Sequence, residues 1–233
     1  MREKGIAAFR AVCDPDLRGE NLEEFFQNDA LVITIPFRRG LSDPRFYFQQ
    51  IQSIIRPARQ SGRTPFVILT GSTSVYPFDA GPVDEKTDFI PDGQRAETLL
   101  NVEALLLQDS SLPATVLRLA GLYGPGRPIG KFLAEKKDIP GGNEPVNLVH
   151  QEDAVRAVYE VLVRDVRGEI FNVVSDGHPT RRELYVQAAQ NLELQLPQFS
   201  TTPGGRGKTV LNQKIKRRLG FDFRHPDPLH DAR

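Results

Sequence analysis

Hydroxyl side chains are concentrated directly after one apolar segment of the sequence. Residues 66–70 (FVILT) are almost entirely apolar, and Gly71-Ser72-Thr73-Ser74 follows them. Ligands of open α/β sheets bind beyond the carboxyl ends of the strands, so Ser72 and Ser74 could polarise a carbonyl group or hold the amide of a cofactor there. The alternative is that these hydroxyls only cap the turn. Spacing alone supports the two interpretations equally.

A second candidate is the segment at residues 124–131 (GPGRPIGK), which is rich in glycine and proline. Pro125 and Phe132 stand where a phosphate-binding P-loop requires Gly and Ser or Thr. Pro125 and Pro128 also lack the amide N–H donors with which such a loop would hold phosphate. We therefore interpret the segment as a loop beside a ligand, to which Arg127 and Lys131 contribute positive charge.

A histidine and an aspartate lie close together in residues 147–153 (NLVHQED). His150 and Asp153 could form an acid/base couple or a metal pair. The chain has only four histidines and no third ligand nearby in sequence, which argues against a metal. Asp153 is interpreted as the cap of the following helix. Asn147 and His150 either face a cleft or fill a turn.

One basic cluster occurs near the C-terminal end of the sequence, at Arg206, Lys208, Lys214, Lys216, Arg217 and Arg218. Residues 214–218 are typical of a solvated helix face. Residues 204–208 (GGRGK) could close on an anionic ligand. No aromatic residues alternate with these charges, so a nucleic-acid site is not favoured.

The composition indicates a globular chain rather than a nucleic-acid or membrane protein. The 233 residues are 39% apolar and carry 30 basic and 30 acidic side chains, so the formal net charge is zero. One cysteine excludes an intrachain disulfide. The longest apolar stretch, residues 30–37, is too short to cross a bilayer. Residues 1–4 lead into no signal peptide, and we expect a cytoplasmic location.

Alternating strand and helix patterns predict the elements that position these residues. Apolar, β-branched runs predict buried strands at 30–35, 66–70, 115–119 and 169–174, and a short strand is predicted at 6–12. Helical spacing covers 46–60, 95–108, 153–164 and 181–192. The prediction is an α/β fold, with a partial Rossmann-like parallel sheet, helices on both faces and a small C-terminal substrate lobe. We expect a Rossmann-like region at 1–123 and a mixed region with a returning sheet strand at 124–233.

Five segments in order resemble the extended short-chain dehydrogenases/reductases, the NAD-dependent epimerase/dehydratase family, and within it the YeeZ-like branch. The segments are residues 30–36 (ALVITIP), 71–76 (GSTSVY), 118–126 (RLAGLYGPG), 146–153 (VNLVHQED) and the tail at 219–229 (LGFDF and PDPL). The resemblance implies bound NAD or NADP and a small-molecule substrate that is a secondary alcohol or ketone, often a nucleotide sugar.

The resemblance also implies roles for particular residues. Ser72 would bond the reacting oxygen as the catalytic hydroxyl. Cofactor contacts map to Asp14, Thr34, Ile35, Pro36, Ala120 and Leu122. Substrate contacts map to Ser74, Arg127, Asn147, His150 and Lys208, and no metal is implied.

The sequence departs from the family pattern at its beginning. No glycine triplet precedes Asp14, so the family's first βαβ unit, which binds pyrophosphate, is expected to be absent. The strand at 30–35 would then have an open edge. We expect either that residues 6–12 pair onto this edge or that the chain forms a homodimer there.

The catalytic Tyr-x-x-x-Lys pair of the family is replaced by Arg95 and Leu99. Arg95 is too basic to exchange a proton near neutral pH, and Tyr76 and Tyr123 are predicted to be the remaining nearby phenols. The resemblance therefore implies an NAD(P)-dependent oxidoreductase or epimerase-like protein, whose catalysis the loss of this pair could impair. The alternatives are a non-catalytic ligand- or partner-binding protein of the same fold, or a fragment of a longer reading frame.

Overall fold

The structure is a computed structural model that describes residues 5–38, 43, 45–202 and 204–231. The strands are β1 Ala11–Cys13, β2 Leu17–Gly19, β3 Ala30–Ile33, β4 Phe66–Ser72, β5 Gly81–Val83, β6 Ala114–Leu119, β7 Gly121–Tyr123, β8 Leu148–His150, β9 Ile170–Val173 and β10 Lys208–Val210. The helices are α1 Leu22–Phe25, α2 Arg45–Gln60, α3 Gln94–Leu107, α4 Gln151–Val163, α5 Arg181–Asn191 and α6 Gln213–Leu219. Of the helices described, none is both long enough and apolar enough to cross a membrane.

A four-stranded parallel sheet in the order β3-β4-β6-β9 forms the centre of the fold. Its two inner strands, β4 and β6, are built from the continuous apolar runs; Phe66–Leu69 of β4 and Ala114–Arg118 of β6 are buried, and the carboxyl ends of both strands are partly exposed. In register, Ile68 of β4 lies opposite Val32 of β3 and Thr115 of β6. The carboxyl ends of β3, β4 and β6 therefore lie side by side. The predicted α/β class with a Rossmann-like sheet is confirmed.

Helices cover both faces of this sheet. On β6, Thr115 donates a hydrogen bond to the carbonyl of Val166, just after α4, and Arg118 binds Glu103 of α3. Residues 115 and 118 point to opposite faces of a strand, so α3 and α4 lie on opposite sides. α2 packs beside α3, and α6 contacts β9.

Two further parallel pairs connect distant parts of the chain. β7 pairs with β8, and β5 pairs with β10, so that Gly81–Val83 lies alongside Lys208–Val210. α5 packs on the 3-10 turn Ile129–Phe132. These elements lie in or contact the C-terminal half, and β9 of that half joins the central sheet. The division into residues 1–123 and 124–233 stays a prediction.

The expected pairing of residues 6–12 with the open edge of β3 is wrong. Only Ala11–Cys13 forms a strand, and it pairs with β2 as an antiparallel hairpin rather than with β3. Polar contacts fix the hairpin on α2, because Ser53 Oγ accepts the Leu17 N–H at 3.1 Å and Gln50 Nε2 donates to the Cys13 carbonyl at 2.6 Å. These bonds satisfy backbone groups that would otherwise pair with a sheet edge.

Within the described residues, β3 has one sheet partner, β4. Its Val32 is 38% exposed, so the expectation that residues 30–35 are buried on both faces is wrong for this strand. The reason is that one flank of β3 is a sheet edge. The homodimer stays a prediction.

Candidate functional site

A cavity of about 340 Å³ lies beyond the carboxyl ends of β3, β4 and β6, and we call it the strand-end cavity. Eight of the residues predicted from the sequence line it: Thr34, Ile35, Pro36, Ser72, Ser74, Ala120, Leu122 and Arg127. The other lining residues are Phe37, Tyr47, Thr70, Gly71, Thr73, Arg95, Leu99, Leu119 and Gly121. The parallel strands collect these segments because their carboxyl ends meet at one edge of the sheet.

The two serine hydroxyls of the cavity are bonded to each other. Ser72 ends β4, and the 3-10 turn Thr73–Val75 follows. The Ser72 Oγ accepts the Ser74 N–H at 3.1 Å and donates to the Ser74 Oγ at 3.1 Å. Ser72 therefore caps the turn, as one sequence interpretation expects, and also lines the cavity; its contact with a carbonyl group or a cofactor amide stays a prediction. The Ser74 O–H keeps its own proton to donate to a ligand.

Arg95 and Leu99, which replace the family's Tyr and Lys, both line the strand-end cavity from α3. They are one helical turn apart and so lie on the same face of the helix. The Arg95 guanidinium lies over the Phe37 ring, 5.1 Å from its centroid. Leu99 is buried. The cavity thus carries a positive charge and an apolar surface where the family has a titrating pair.

Neither Tyr76 nor Tyr123, the two phenols that the sequence indicated near the site, lines the strand-end cavity. The Tyr76 hydroxyl accepts from Arg118 Nη1 at 2.8 Å and donates to Asn172 Oδ1 at 2.9 Å. The Tyr123 hydroxyl donates to Asp231 Oδ2 at 3.0 Å. Burial raises the pKa of both phenols. Each hydroxyl is held in place by a partner outside the cavity.

The phenol that does line the cavity is Tyr47 of α2, which sequence reasoning missed. Its hydroxyl donates to the Ile35 carbonyl at 3.3 Å. Burial, and next the charge of Glu103, raise the pKa of Tyr47 to about 12. Tyr47 therefore keeps its proton at neutral pH. It lies within the predicted helix at 46–60, where no local motif distinguishes it from its neighbours.

Asn147 and Lys208 lie behind the strand-end cavity and connect β10 to it. Asn147 donates from Nδ2 to the Lys208 carbonyl at 2.7 Å and accepts the Val210 N–H on Oδ1 at 2.7 Å. The Lys208 Nζ donates to the carbonyls of Thr73 and Tyr76 at 2.9 and 2.6 Å. Substrate contacts of Asn147 and Lys208 stay a prediction. The observed hydrogen bonds of Lys208 position the turn that carries Ser74.

Replacing Lys208 with Met is expected to change how stability depends on pH. Burial, and next the charge of Arg95, lower the pKa of Lys208 from 10.5 to about 8. Between these values the unfolded chain binds more protons than the folded one, so the free energy of unfolding rises with pH. The neutral amine keeps two N–H donors, enough for both carbonyls.

Urea unfolding between pH 7.5 and 10.5 measures this effect. Across this range the free energy of unfolding of wild type should rise by about 1–3 kcal/mol relative to that of Lys208→Met. Lys137→Met, at an exposed position, should behave as wild type. The prediction is wrong if the free energy of unfolding changes with pH in the same way in wild type and Lys208→Met. That result would show that the pKa of Lys208 is the same in the folded and unfolded states.

The prediction that Asp153 caps α4 is wrong. The cap is His150, whose Nδ1 accepts the Glu152 N–H at 3.2 Å. Asp153 is fully buried, and its carboxylate accepts the N–H groups of Arg224 and His225, each at 2.9 Å. Its role is structural, as expected, but it anchors the C-terminal segment rather than the helix start.

His150 lines a different cavity, of about 720 Å³, which we call the histidine cavity. Its lining residues are Tyr123, Gly124, Pro125, Gly126, Arg127, Pro128, Ile129, Lys131, His150, His225, His230 and Asp231. His225 brings a second imidazole against His150, with ring centroids 3.5 Å apart. This pair has no spacing signal in the sequence because the two histidines lie in distant segments.

Asp14 lies away from both cavities, in the turn between β1 and β2. It is exposed, and its N–H donates to the Asp16 carbonyl at 3.2 Å. The predicted contact of Asp14 with an adenine ring stays a prediction.

Known proteins are similar to this chain in sequence and in fold. No family model matches the sequence. Protein YeeZ of Escherichia coli (strain K12) is 38% identical over 231 residues, which cover 98% of this chain and 84% of YeeZ.

Solved structures show the same fold. A conserved protein of unknown function from Silicibacter pomeroyi DSS is 26% identical, with a TM-score of 0.69 over 87% of this chain and 75% of that one. MoeE5, solved with UDP-glucuronic acid and NAD, is 22% identical, with a TM-score of 0.72 over 88% of this chain and 77% of its own.

Proposed function

The chain belongs to the YeeZ-like branch of the NAD-dependent epimerase/dehydratase family, and we propose that it binds NAD or NADP and acts on a secondary alcohol or ketone. A sugar-nucleotide-like compound is the proposed substrate class. The observation that carries the proposal is the strand-end cavity, where eight residues assigned from the family pattern meet. We keep the cytoplasm as the proposed location.

The strand-end cavity suits the nicotinamide half of such a cofactor. Its volume of about 340 Å³ is at the lower end of the range for small-molecule sites, roughly 300–1,000 Å³, so it would take part of a dinucleotide rather than the whole. Small residues and backbone form much of its wall, at Gly71, Ala120 and Gly121. We assign Thr34, Ile35 and Pro36 to one side of the ring, and Ala120 and Leu122 to the other.

When bound, the dinucleotide supplies hydride transfer at a carbinol or carbonyl carbon. Ser72 and Ser74 orient the substrate oxygen through hydrogen bonds. The guanidinium of Arg95 stabilises negative charge that develops on this oxygen, and Leu99 helps to exclude water. In the reductive direction we assign Tyr47, which keeps its proton at neutral pH, as the source of the proton that this oxygen takes up, once its hydroxyl leaves the Ile35 carbonyl.

Replacing Ser72 with Ala is expected to lower cofactor-dependent turnover at least tenfold, because the Ser72 hydroxyl that orients the Ser74 O–H towards the reacting oxygen is lost. The assay follows oxidation of NADH or NADPH with a panel of sugar-nucleotide and other ketone substrates. Ser111→Ala changes an exposed serine bonded to Asp109 and should leave turnover unchanged. Activity that persists undiminished in Ser72→Ala would refute the assignment of Ser72.

A second candidate function is ligand binding without redox chemistry. It is favoured by one observation, that Arg95 and Leu99 occupy the cavity positions of the family's proton-transfer pair. Such a protein would bind cofactor or ligand with normal affinity and show no turnover. The two candidates therefore differ in turnover and agree in binding.

A further inference from the structure

The histidine cavity adjoins the strand-end cavity and differs from it in the three histidines that line it. Arg127 lines both cavities, and its Nε donates to the Leu122 carbonyl at 3.2 Å. Three of the chain's four histidines line the histidine cavity, together with Arg127 and Lys131. Asp231 is its one acidic lining residue. A cavity of about 720 Å³ is large enough for a separate group of a ligand.

The acidic groups at this cavity already have partners. Asp231 Oδ2 accepts from the Tyr123 hydroxyl at 3.0 Å and lies 2.8 Å from His225 Nδ1. Glu152 pairs with Arg224 and lies 3.2 Å from His225 Nε2. By contrast, in the part of the chain that the structure describes, neither Arg127 nor Lys131 forms an ion pair. Positive charge is therefore in excess at this wall.

The pKa values of the two stacked imidazoles shift in opposite directions. Each ring nitrogen of His225 faces a carboxylate, so both carry hydrogen. Burial opposes the charge on His225, but the bonds to Asp231 and Glu152 together raise its pKa. Burial, and next the charge of His225, lower the pKa of His150. These contacts favour the neutral form of His150 and the cationic form of His225.

The tautomer of His150 makes it a hydrogen-bond donor towards the cavity. Its Nδ1 accepts the Glu152 N–H, so the ring proton is on Nε2. The Nε2 edge lies against Gly124, where an added Cβ would be only 2.7 Å from Nε2. Glycine at this position lets the N–H edge of the ring reach the cavity wall.

The same tautomer argues against a metal ion. The ligand atoms of His150, Glu152 and His225 lie within 4.8 Å of one another, which is close enough to hold one ion. A ligating His150 Nε2 would have to lose its proton, while Nδ1 is already occupied by the helix cap. Arg224 also neutralises Glu152. Donors and cations at one wall select an anion.

We infer that the histidine cavity binds an oxyanion, a phosphate or carboxylate group of a small-molecule ligand, through Arg127, Lys131, His230 and the Nε2–H of His150. The further assignment of this group to the substrate rests on the proposed function. Arg127 then lies between the reacting carbon in the strand-end cavity and the anionic end in the histidine cavity.

The test measures anion binding to the full chain without any dinucleotide. Pyrophosphate and citrate are titrated to millimolar concentration at constant ionic strength, and the four histidine ring signals are followed by NMR. We expect saturable shifts of the His150 and His230 signals, with His178, which lies outside this cavity, as an internal control. The anion that binds more tightly identifies phosphate or carboxylate as the preferred group.

Variants make the test specific. Arg127→Met/Lys131→Met changes two exposed residues and should weaken binding at least tenfold, while Lys137→Met, also exposed, should bind as wild type. The inference is overturned if neither anion gives saturable shifts, if the double variant binds equally well, or if Zn²⁺ shifts these signals and the anions do not. Anion binding without dinucleotide binding would refute the proposed function and leave the oxyanion site standing.

Discussion

Replacing Glu103 with Ala is expected to destabilise the fold by about 3–5 kcal/mol, because it leaves a buried charge without its partner. Glu103 receives two charge-assisted hydrogen bonds from Arg118, Nε to Oε1 at 3.0 Å and Nη2 to Oε2 at 2.7 Å. Both side chains are only 5% exposed. Arg118 Nη1 also donates to the Tyr76 hydroxyl, so the turn that carries Ser74 would loosen as well.

Urea unfolding of three variants checks the cause of this loss. Glu97→Ala, at an exposed position in the first turn of α3, should cost less than about 1 kcal/mol. The double change Glu103→Met/Arg118→Met should recover most of the stability, because an apolar pair of similar volume leaves no unpaired charge. A loss in Glu103→Ala as small as that in Glu97→Ala would contradict the account of this pair.

The double substitution Arg95→Tyr/Leu99→Lys is expected to raise turnover by about 10²–10⁴-fold, the usual contribution of a positioned acid/base group. Both positions line the strand-end cavity on one face of α3. A lysine one turn from the new tyrosine would lower the pKa of the phenol, so that it could exchange a proton near neutral pH. Arg95 cannot do this because its guanidinium stays charged.

The single variants serve as controls, since each restores half of the pair. Each should stay well below the double variant in turnover of NADH or NADPH, and melting temperatures show whether each variant is folded. A folded double variant that binds cofactor and gains no turnover would contradict hydride transfer at this cavity. It would favour the non-catalytic alternative.

The central elements could be predicted from the sequence because each has a strong local pattern. Buried apolar runs identified β3, β4, β6 and β9, and helical spacing identified α2 to α5. The three-residue strands could not be predicted, since their pairing depends on distant residues. β5 exists because Gly81–Val83 lies alongside Lys208–Val210, and neither segment has a clear strand pattern of its own.

The site was predictable where residues follow a strand and was missed where they come from elsewhere. Ser72 follows an apolar run, and the carboxyl-end rule for parallel sheets placed it at this edge, while Pro36 was assigned through the family resemblance. Tyr47 lies on α2, far from any strand end in sequence, and His225 lies in the C-terminal segment. The role of Asp153 was predicted wrongly because its carboxylate accepts hydrogen bonds from backbone N–H groups of that distant segment, not from those of its own helix.

Thermal unfolding with NAD⁺, NADH, NADP⁺ and NADPH tests the central claim most directly, that the strand-end cavity binds a dinucleotide. A ligand at about 100 times its Kd adds about 2.7 kcal/mol, or roughly 5–10 °C for a domain of this size. Thr34→Trp fills the cavity from an exposed lining residue, and Thr201→Trp adds the same bulk at an exposed position elsewhere. We predict that one cofactor pair raises the melting temperature of wild type and Thr201→Trp but not of Thr34→Trp. No rise with any of the four, or an equal rise in Thr34→Trp, would contradict the account.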